Sequence, residues 1–352
     1  MSTCCTSWRR VISGDAHGPG PSLARGALRV LSVPYGWATS IRDAAVSGDE
    51  VSVGLPTISV GNLTAGGTGK TPVVSLVVAD LVKRGRRPVI LSRGYCAEPG
   101  EPNDEAKVLA RQHPDVMHLQ GKDRVALARY AADAKLGDTL VLDDGFQYLA
   151  LRRHMNVCCI DATNPFGYGA VLPRGLLRER MSALYRARPV LITRSELVPP
   201  GRVAEIQAEI LRWNEHARFV VSEMRVTGTT DVRGADRADA SDLAGKRALC
   251  VSGIGNPAAF ASTVRTLGAR VVGHTEFGDH HDWTAADVKA VVKRASDAAA
   301  EVVLTTSKDA VKLADLAWPA SAPPVRVVEI SAAITSGAEA WSKMIDEALA
   351  KA

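Results

Sequence analysis

Short apolar runs alternate with amphipathic stretches along most of the chain from residue 55 onward. The runs are rich in β-branched and aliphatic residues and predict strands, whereas the stretches between them have helical spacing. This alternation is typical of a mostly parallel sheet with helices on both faces, so we expect an α/β fold. The expected strands are residues 57–61, 88–92, 139–143, 157–161, 190–193, 248–252, 270–273, 301–305 and 325–329, and the clearest helices are 72–84 and 124–135.

The alternation lapses in a polar segment rich in Gly and Asp, which we interpret as a connection between two domains at residues 221–240. Residues 47–220 are expected to form the larger domain. Residues 241–352 resume the alternating pattern and predict a smaller C-terminal α/β domain.

The N-terminal part of the chain has a different composition. Residues 1–22 are small and polar and predict a flexible extension. Residues 23–46 interleave apolar and aromatic side chains with arginines, which favours either a helix packed on the protein's own core or a helix lying at a membrane surface. Pro34 and Gly36 are expected to kink or split this helix.

Composition narrows the classes of protein to which the chain could belong. The chain has 352 residues, of which 46% are hydrophobic and 23% charged, and this indicates a folded protein with room for two domains. The net charge of +5 suits an anionic partner such as a phosphorylated substrate, a lipid head group or nucleic acid. No run reaches the roughly 20 apolar residues of a membrane-spanning helix. The six cysteines lack metal-ligand spacing, so we expect reduced thiols.

The most specific motif is GNLTAGGTGKTP at residues 61–72, which lies between a predicted strand and a predicted helix. Glycines allow backbone amides to turn toward phosphate oxygens, and the following helix directs its N-terminal dipole at the same anion. The motif predicts a P-loop in which Lys70 reaches the β- and γ-phosphates and Thr71 binds Mg²⁺. It is a variant P-loop, because Thr64 occupies the position of the usual first glycine. The expected nucleotide-binding residues are Asn62, Thr64, Ala65, Gly66, Gly67, Thr68, Gly69, Lys70 and Thr71.

A second motif, LDDGFQ at residues 142–147, places two carboxylates at the end of a predicted strand. Adjacent carboxylates repel each other unless a cation or a proton lies between them. We therefore expect Asp143 and Asp144 to contribute to a Mg²⁺ site beside the P-loop. A solvated turn is the alternative interpretation.

Together these motifs resemble the tetraacyldisaccharide 4′-kinase family of lipid A biosynthesis. Further similar segments occur in the family's order: LSRGY at 91–95, NDEA at 103–106, GYGAVLPRGLLRE at 167–179, FGDHH at 277–281 and TTSKDAVKL at 305–313. The resemblance implies a P-loop kinase that transfers the γ-phosphoryl group of ATP to the 4′-hydroxyl of a tetraacyldisaccharide 1-phosphate, with Mg²⁺ as cofactor. It also implies a monomer without a nucleic-acid partner.

The resemblance implies a location and several residue roles as well. The family works at the cytoplasmic face of the inner membrane, held there peripherally by an N-terminal amphipathic helix, which favours the membrane-surface interpretation of residues 23–46. By the resemblance, Asp104 assists deprotonation of the sugar hydroxyl and His280 pairs with it. Because these two residues fall in different predicted domains, we expect domain closure to bring them together. The remaining implied residues are Glu179 near the metal and Arg178, Arg93 and Tyr95 near phosphates or the lipid head group.

The sequence departs from the usual family pattern at a few positions, among them Cys96, Tyr148 and Arg174. Two other functions remain open on the sequence. A P-loop ATPase or GTPase switch would hydrolyse nucleotide without a lipid acceptor, although neither a guanine-specific NKxD element nor a Cys/His metal cluster is present. The second of these functions is that of a membrane-peripheral binding protein without activity.

Overall fold

The computed structural model describes residues 2–46, 48, 50–94 and 101–351. Its strands, in chain order, are β1 (Thr57–Asn62), β2 (Pro88–Ser92), β3 (Met117–Gln120), β4 (Thr139–Asp143), β5 (Met155–Asp161), β6 (Val190–Thr193), β7 (Phe219–Asp231), β8 (Arg237–Ala238), β9 (Arg247–Ser252), β10 (Arg270–Glu276), β11 (Val302–Thr306) and β12 (Val325–Ser336). All nine strands expected from the sequence are present, whereas the long β7 and the short β3 and β8 were not foreseen.

The α-helices, in chain order, are α1 (Ser2–Ser13), α2 (Pro19–Val46), α3 (Lys70–Lys83), α4 (Asp104–Gln112), α5 (Arg124–Asp133), α6 (Arg202–Leu211), α7 (Pro257–Thr266), α8 (Ala285–Asp297), α9 (Ser307–Leu313) and α10 (Ala338–Leu349). Among the described residues, no helix is both long enough and apolar enough to cross a membrane.

The chain divides into two compact units. Unit 1 comprises Met1–Arg93, Val116–Glu223 and Ala332–Ala352, and unit 2 comprises Gly94–Asp115 and Met224–Ser331. This division differs from the sequence-based domains, because a segment inside the predicted larger domain folds with the C-terminal residues.

In unit 1 the strands follow the order β7-β6-β5-β1-β4-β2-β3, and every neighbouring pair is parallel. The central strands β1, β4 and β5 are buried along their whole length, as expected for a parallel sheet with both faces covered. Cys158 and Cys159 are buried within β5. The carboxyl ends of parallel strands share one edge, and this edge is where a doubly wound sheet binds ligands.

In unit 2 the parallel order is β10-β9-β11-β12, and β8 pairs antiparallel with the unit 2 part of β7 through Thr229 and Thr230. The predicted connection at residues 221–240 is therefore wrong. Most of it is strand, because buried residues such as Val221, Met224 and Thr229 recur along β7 despite the polar composition.

The predicted flexible extension at residues 1–22 also differs from the structure, which contains α1 there. Ile12 is buried, Trp8 Nε1 donates to the carbonyl of Pro173 at 3.2 Å, and Arg174 donates to the carbonyl of Ile12 at 3.0 Å. These contacts fix α1 on the loop that contains Pro173 and Arg174. The sequence of α1 alone does not indicate such contacts. Helix α2 runs through Pro34 as a single element, so the expected split is absent.

Candidate active site

The P-loop connects β1 to α3 at the carboxyl edge of the unit 1 sheet. Strand β1 ends at Asn62 and α3 begins at Lys70. Gly66 and Gly69 have φ angles of 112° and 79°, in the left-handed region that favours glycine. Two of the glycines in the motif are therefore required by the backbone path of the loop, and the last of them directs the chain into the first turn of α3.

Lys70 extends its side chain back over the loop. Its Nζ lies 3.1 Å from Asn62 Oδ1 and 3.3 Å from Asp144 Oδ1. The Asn62 side chain also donates to the carbonyl of Thr64 at 2.5 Å, so one buried amide joins the start of the loop to its lysine. The structure thus brings the lysine of the first motif to a carboxylate of the second.

Asp144 lies between two cations. Besides Lys70, its carboxylate accepts from Arg178 Nη1 at 2.9 and 3.0 Å. Partial burial opposes ionisation, but the charges of Lys70 and Arg178 outweigh it and hold the pKa of Asp144 well below its usual range. Asp144 therefore remains ionised at any working pH. Its backbone has a φ of 53°, unusual for a residue other than glycine and consistent with a site held in place by its surroundings.

The LDDGFQ segment packs directly against β1. A Cβ atom on Gly61 would lie 2.5 Å from the backbone nitrogen of Phe146, and one on Gly145 would lie 2.6 Å from Ser59 Oγ. Gln147 Nε2 donates to the carbonyl of Asn62 at 2.9 Å. The glycines of the two motifs therefore permit the close approach that places both acids at the end of the P-loop strand.

The oxygen ligands near the loop suit a Mg²⁺ site of the type found in P-loop proteins. Asp143 is buried at the end of β4, in register with Val60 of β1, and Thr71 follows Lys70 in the first turn of α3. No cluster of three or more His, Cys, Asp or Glu able to hold a metal occurs among the described residues. A P-loop site needs no such cluster, since Mg²⁺ keeps several waters and uses phosphate oxygens of the nucleotide.

The second group of charged residues lies wholly within unit 2, on α4, on α9 and in the segment after β10. Asp104 Oδ2 lies 3.2 Å from His280 Nδ1 and 3.1 Å from Lys312 Nζ. Asn103 caps α4 by accepting from the backbone N–H of Ala106, which fixes the first turn that carries Asp104. His280 has a left-handed backbone with a φ of 59°.

Both ring nitrogens of His280 have partners. Nε2 lies 3.1 Å from Lys308 Nζ, which can only donate, so Nε2 accepts and Nδ1–H donates to Asp104 in the neutral tautomer. Lys308 is itself paired with Asp279 at 2.9 Å and with Glu105 at 3.1 Å. The imidazole is thus held between a carboxylate and an ammonium group.

The pKa values in this cluster shift in opposite directions. The hydrogen bond to Asp104 raises the pKa of His280 above 6.5, although burial and Lys308 oppose the rise. Burial opposes ionisation of Asp104, but His280 and Lys312 lower its pKa below the usual value. A carboxylate that stays ionised beside an imidazole whose pKa is raised is a suitable pair for moving a proton.

The structure corrects one expectation about this pair. Asp104 and His280 belong to the same compact unit and are already in hydrogen-bond contact, so they do not lie in different domains awaiting closure. The sequence could not reveal this, because the two residues are 176 positions apart. Lys312 was assigned no role from the sequence either, although it lies in the TTSKDAVKL segment, one helical turn after Lys308 on α9.

Comparison with known proteins decides the family. The model of the tetraacyldisaccharide-1-P 4′-kinase family matches residues 24–350. A tetraacyldisaccharide 4′-kinase from Anaeromyxobacter dehalogenans is 39% identical, covering 94% of this chain and 93% of the relative. One from Geobacter metallireducens is 35% identical and covers 83% of this chain and 89% of the relative. The chain belongs to the tetraacyldisaccharide 4′-kinase family.

A solved structure supports the fold of this family member. The LpxK protein from Aquifex aeolicus, determined in complex with ATP, superposes with a TM-score of 0.71 at 23% identity and covers 93% of this chain and 99% of that chain. The predicted fold class, a P-loop α/β protein with a mostly parallel sheet, is confirmed.

Glu179 has a different environment from the one expected of a metal ligand in this family member. Its carboxylate is 1% exposed and is bound by Arg42 at 2.5 Å and by Arg186. Arg186 also pairs with Asp43 at 3.2 Å. Two guanidinium groups on one buried carboxylate leave it little capacity for a cation, so the structure indicates that Glu179 joins α2 to the loop that carries Arg178.

The predicted substrate residues lie in different parts of the structure. Arg178 is placed at Asp144, beside the P-loop. Arg93 is exposed immediately after β2. Tyr95 and the family departure Cys96 lie outside the described residues. Of the other departures, Tyr148 stacks under the Arg124 guanidinium at 3.9 Å, and Arg174 holds α1 as described above.

Proposed function

We propose that the chain transfers the γ-phosphoryl group of ATP to the 4′-hydroxyl of a tetraacyldisaccharide 1-phosphate. The observation that carries this proposal is that Asp144 pairs with both the P-loop Lys70 and Arg178 in a chain that belongs to the 4′-kinase family. The transfer forms a bond between the sugar oxygen and the γ-phosphorus and breaks the bond from that phosphorus to the bridging oxygen, leaving ADP.

In this proposal unit 1 supplies positioning and charge. Backbone amides of the loop, among them those of Gly69 and Lys70, hold the phosphate oxygens, and the Lys70 ammonium neutralises charge on the β- and γ-phosphates. Arg178 adds a second cation held in place by Asp144. Phosphoryl transfer requires little covalent chemistry from the protein, so fixed donors account for most of the rate increase.

The proposed cofactor is Mg²⁺, with Thr71 and Asp143 as its protein ligands, the latter directly or through water. When bound, the ion neutralises charge on the β- and γ-phosphate oxygens. The buried Asp143 carboxylate at the end of β4 and the hydroxyl at the start of α3 are the ligand types that Mg²⁺ prefers. Glu179 is left out of this set because of its two arginine partners.

The proton of the sugar hydroxyl is assigned to the Asp104 and His280 pair. Asp104 is kept ionised by His280 and Lys312, and its hydrogen bond raises the pKa of the adjoining imidazole, which can accept a proton. We treat the two groups as one acid-base unit, because strongly interacting groups titrate together.

Helix α2 supports a location at the cytoplasmic face of the inner membrane. Its large apolar side chains face outward, with exposed fractions of 76% for Leu23, 70% for Val30, 61% for Trp37 and 69% for Ile41. Its inward face is polar or small. Ser32 donates to the carbonyl of Val171 at 3.0 Å, and Tyr35 donates to that of Arg178 at 3.1 Å.

A helix of a water-soluble protein places its apolar stripe toward the core. The reversed polarity of α2 suits a helix that lies in a membrane interface, where arginines near its start can meet anionic head groups. This favours the membrane-surface interpretation over a helix packed on the core, and it supports peripheral attachment beside the lipid substrate.

The decisive experiment incubates the purified protein with ATP, Mg²⁺ and a tetraacyldisaccharide 1-phosphate, and then measures the lipid by mass spectrometry. We expect the lipid to gain the mass of one phosphate, with one ADP formed for each phosphorylated lipid. ATP consumption without a change in lipid mass would instead favour the ATPase alternative.

A further inference from the structure

Two carbonyl groups of the P-loop are held by residues at the ends of β5 and β6. Arg194 Nη1 donates to the carbonyl of Gly67 at 2.8 Å, and Thr193 Oγ1 donates to the carbonyl of Thr68 at 3.0 Å. The same Arg194 nitrogen forms an ion pair with Asp161. We call Asp161, Thr193 and Arg194 the P-loop clamp.

The strand register explains why these residues meet the loop. Asp161 and Thr193 are opposite each other as the last residues of the parallel pair β5 and β6. Strand β1, which leads into the loop, lies on the other side of β5 with Asn62 opposite Cys159. The carboxyl ends of three neighbouring strands thus supply the loop and two of the residues that hold it.

The clamp is shielded from water. Thr193 is fully buried, and the side chains of Asp161 and Arg194 expose 7% and 14% of their surface. The other carboxylate oxygen of Asp161 accepts from the backbone N–H and the hydroxyl of Thr163, at 3.0 and 2.7 Å. Asp161 is therefore fixed on both sides, and its orientation fixes the guanidinium that contacts Gly67.

Arg194 also adopts an unusual backbone conformation. Its φ is 57°, in the left-handed region that residues with a Cβ atom rarely occupy. Residues in such conformations persist where surrounding contacts hold them, and they concentrate at functional sites. The contacts of Arg194 with Asp161 and Gly67 provide that support.

Holding a carbonyl also directs the next amide. In a planar trans peptide the C=O and the following N–H point in opposite directions. Fixing the carbonyls of Gly67 and Thr68 therefore sets the N–H groups of Thr68 and Gly69. The first of these bonds back to the carbonyl of Gly66 at 3.1 Å, which tightens the loop, and the second lies immediately before the first residue of α3.

We propose that Asp161, Thr193 and Arg194 are positioning residues that hold the P-loop amides in the arrangement that accepts a nucleoside triphosphate. They act through the loop backbone, with Arg194 directed at Asp161 and Gly67. The inference rests on the proposed function only for the identity of the nucleotide, ATP.

The test compares Arg194→Ala, Arg194→Lys and Thr193→Val with the wild-type protein. Loss of a charge-assisted hydrogen bond at a buried site is expected to raise the dissociation constant and the KM for ATP about tenfold in Arg194→Ala. The KM for lipid should not change, and kcat should stay within about twofold because no reacting atom is touched. Arg194→Lys should recover part of the affinity, and Thr193→Val should lose roughly threefold.

Arg202→Ala is the matched control, since Arg202 is a surface residue of α6 that pairs only locally with Glu205. ATP affinity is measured by displacement of a fluorescent ATP analogue, with the unfolding temperature recorded for each variant. Equal ATP affinity in Arg194→Ala and Arg202→Ala would overturn the proposal. A fall in kcat at unchanged ATP affinity would also overturn it, because it would indicate contact with the transferred group.

This design separates the clamp from the proposed function. If the wild-type protein binds ATP but phosphorylates no lipid, the proposed function fails, while the comparison of ATP affinities still tests the clamp. If Arg194→Ala fails to fold, Thr193→Val and Arg194→Lys decide the proposal through the same ATP titration.

Discussion

The P-loop site of unit 1 and the Asp104 cluster of unit 2 are built in different ways. In the first, one segment of ten residues from Asn62 to Thr71 supplies most of the groups, and many of them are backbone amides. In the second, α4, α9 and the segment after β10 each contribute side chains, including Lys308 and Lys312. A site made of backbone requires a fixed spacing of glycines, whereas a site made of side chains does not.

The two sites also differ in how they hold charge. Asp144 is ionised at any working pH because Lys70 and Arg178 flank it. In unit 2, His280 can gain or lose a proton, and its hydrogen bond to Asp104 raises its pKa. The comparison teaches that binding a triphosphate calls for permanent charges, while accepting a proton calls for a group that titrates. If this division of labour is correct, variants of the two sites should fail in distinguishable ways.

The largest effect is expected for Lys70→Ala. Removing the ammonium leaves the phosphates and Asp144 without their shared cation, so turnover should fall by at least about 10³-fold with weaker ATP binding. Lys83→Ala, an exposed substitution at the other end of α3, is the control and should retain wild-type activity. Steady-state assays with lipid and ATP check this. Normal turnover in Lys70→Ala would contradict the role of the P-loop.

The next effect is expected for Asp104→Asn and His280→Ala. Loss of the acid-base pair should lower kcat by roughly 10² to 10³-fold. The dissociation constant for ATP should remain at its wild-type value, in contrast to Lys70→Ala. His216→Ala is the control, because that histidine is 90% exposed. A variant of the pair that weakened ATP binding while keeping kcat would assign this cluster to the nucleotide instead.

A pH profile sharpens the comparison further. Activity should rise as the pH passes upward through the His280 pKa, above 6.5, because the imidazole must be neutral to accept a proton. Asp104→Asn removes the hydrogen bond that raises the pKa of His280 and should move the rise in activity to lower pH. Lys308→Met removes a neighbouring positive charge and should move it to higher pH. A rise that stays in place in both variants would mean that another group titrates.

The contribution of His280 to the stability of the folded state should fall as the pH rises, whereas the activity should increase. A group whose pKa is raised on folding stabilises the folded state below its unfolded pKa, and this contribution is lost as the pH rises through the folded pKa. The contribution of His280 is therefore fully present below about 6.5 and declines above its raised pKa, where activity increases. Denaturant unfolding of the wild type and Asp104→Asn across this range would measure the difference, which should shrink as the pH rises.

The smallest effect is expected outside both sites, at Trp37→Glu on α2. Removing one large apolar side chain from the outward face should weaken binding to vesicles containing anionic lipid by roughly tenfold or more. Trp213→Glu is a matched control, since Trp213 is also exposed in unit 1 but lies outside α2. Vesicle sedimentation measures both variants. Equal losses would indicate general surface hydrophobicity rather than a membrane-binding helix.

The central strands and the P-loop could be predicted from sequence because local patterns determine them. All nine expected strands formed, and Lys70 lies at Asp144, where two adjoining strand ends require it to be. Asp104 and His280 could be named only through the family resemblance, because their contact depends on the fold of unit 2. The surroundings of Glu179 were not apparent from the sequence either, because Arg42, one of the two arginines that bind its carboxylate, lies 137 positions away.

Similarly, residues 221–240 looked like a linker because they are polar and contain several Gly and Asp residues, although much of β7 within them is buried. The clamp residues Thr193 and Arg194 carried no signal of their own, since a strand end followed by an arginine is common. Only the register of β5 and β6 brings them to the loop.

The reversed polarity of α2 has a practical consequence for handling the protein. In aqueous buffer without lipid, the outward row of Leu23, Val30, Trp37 and Ile41 has no apolar surroundings. Copies of the chain should then associate through this row as the concentration rises, and mild detergent should reverse the association. A measurement of oligomeric state in plain buffer would report self-association through α2. The number of subunits in the protein is therefore best determined in micelles or on lipid nanodiscs.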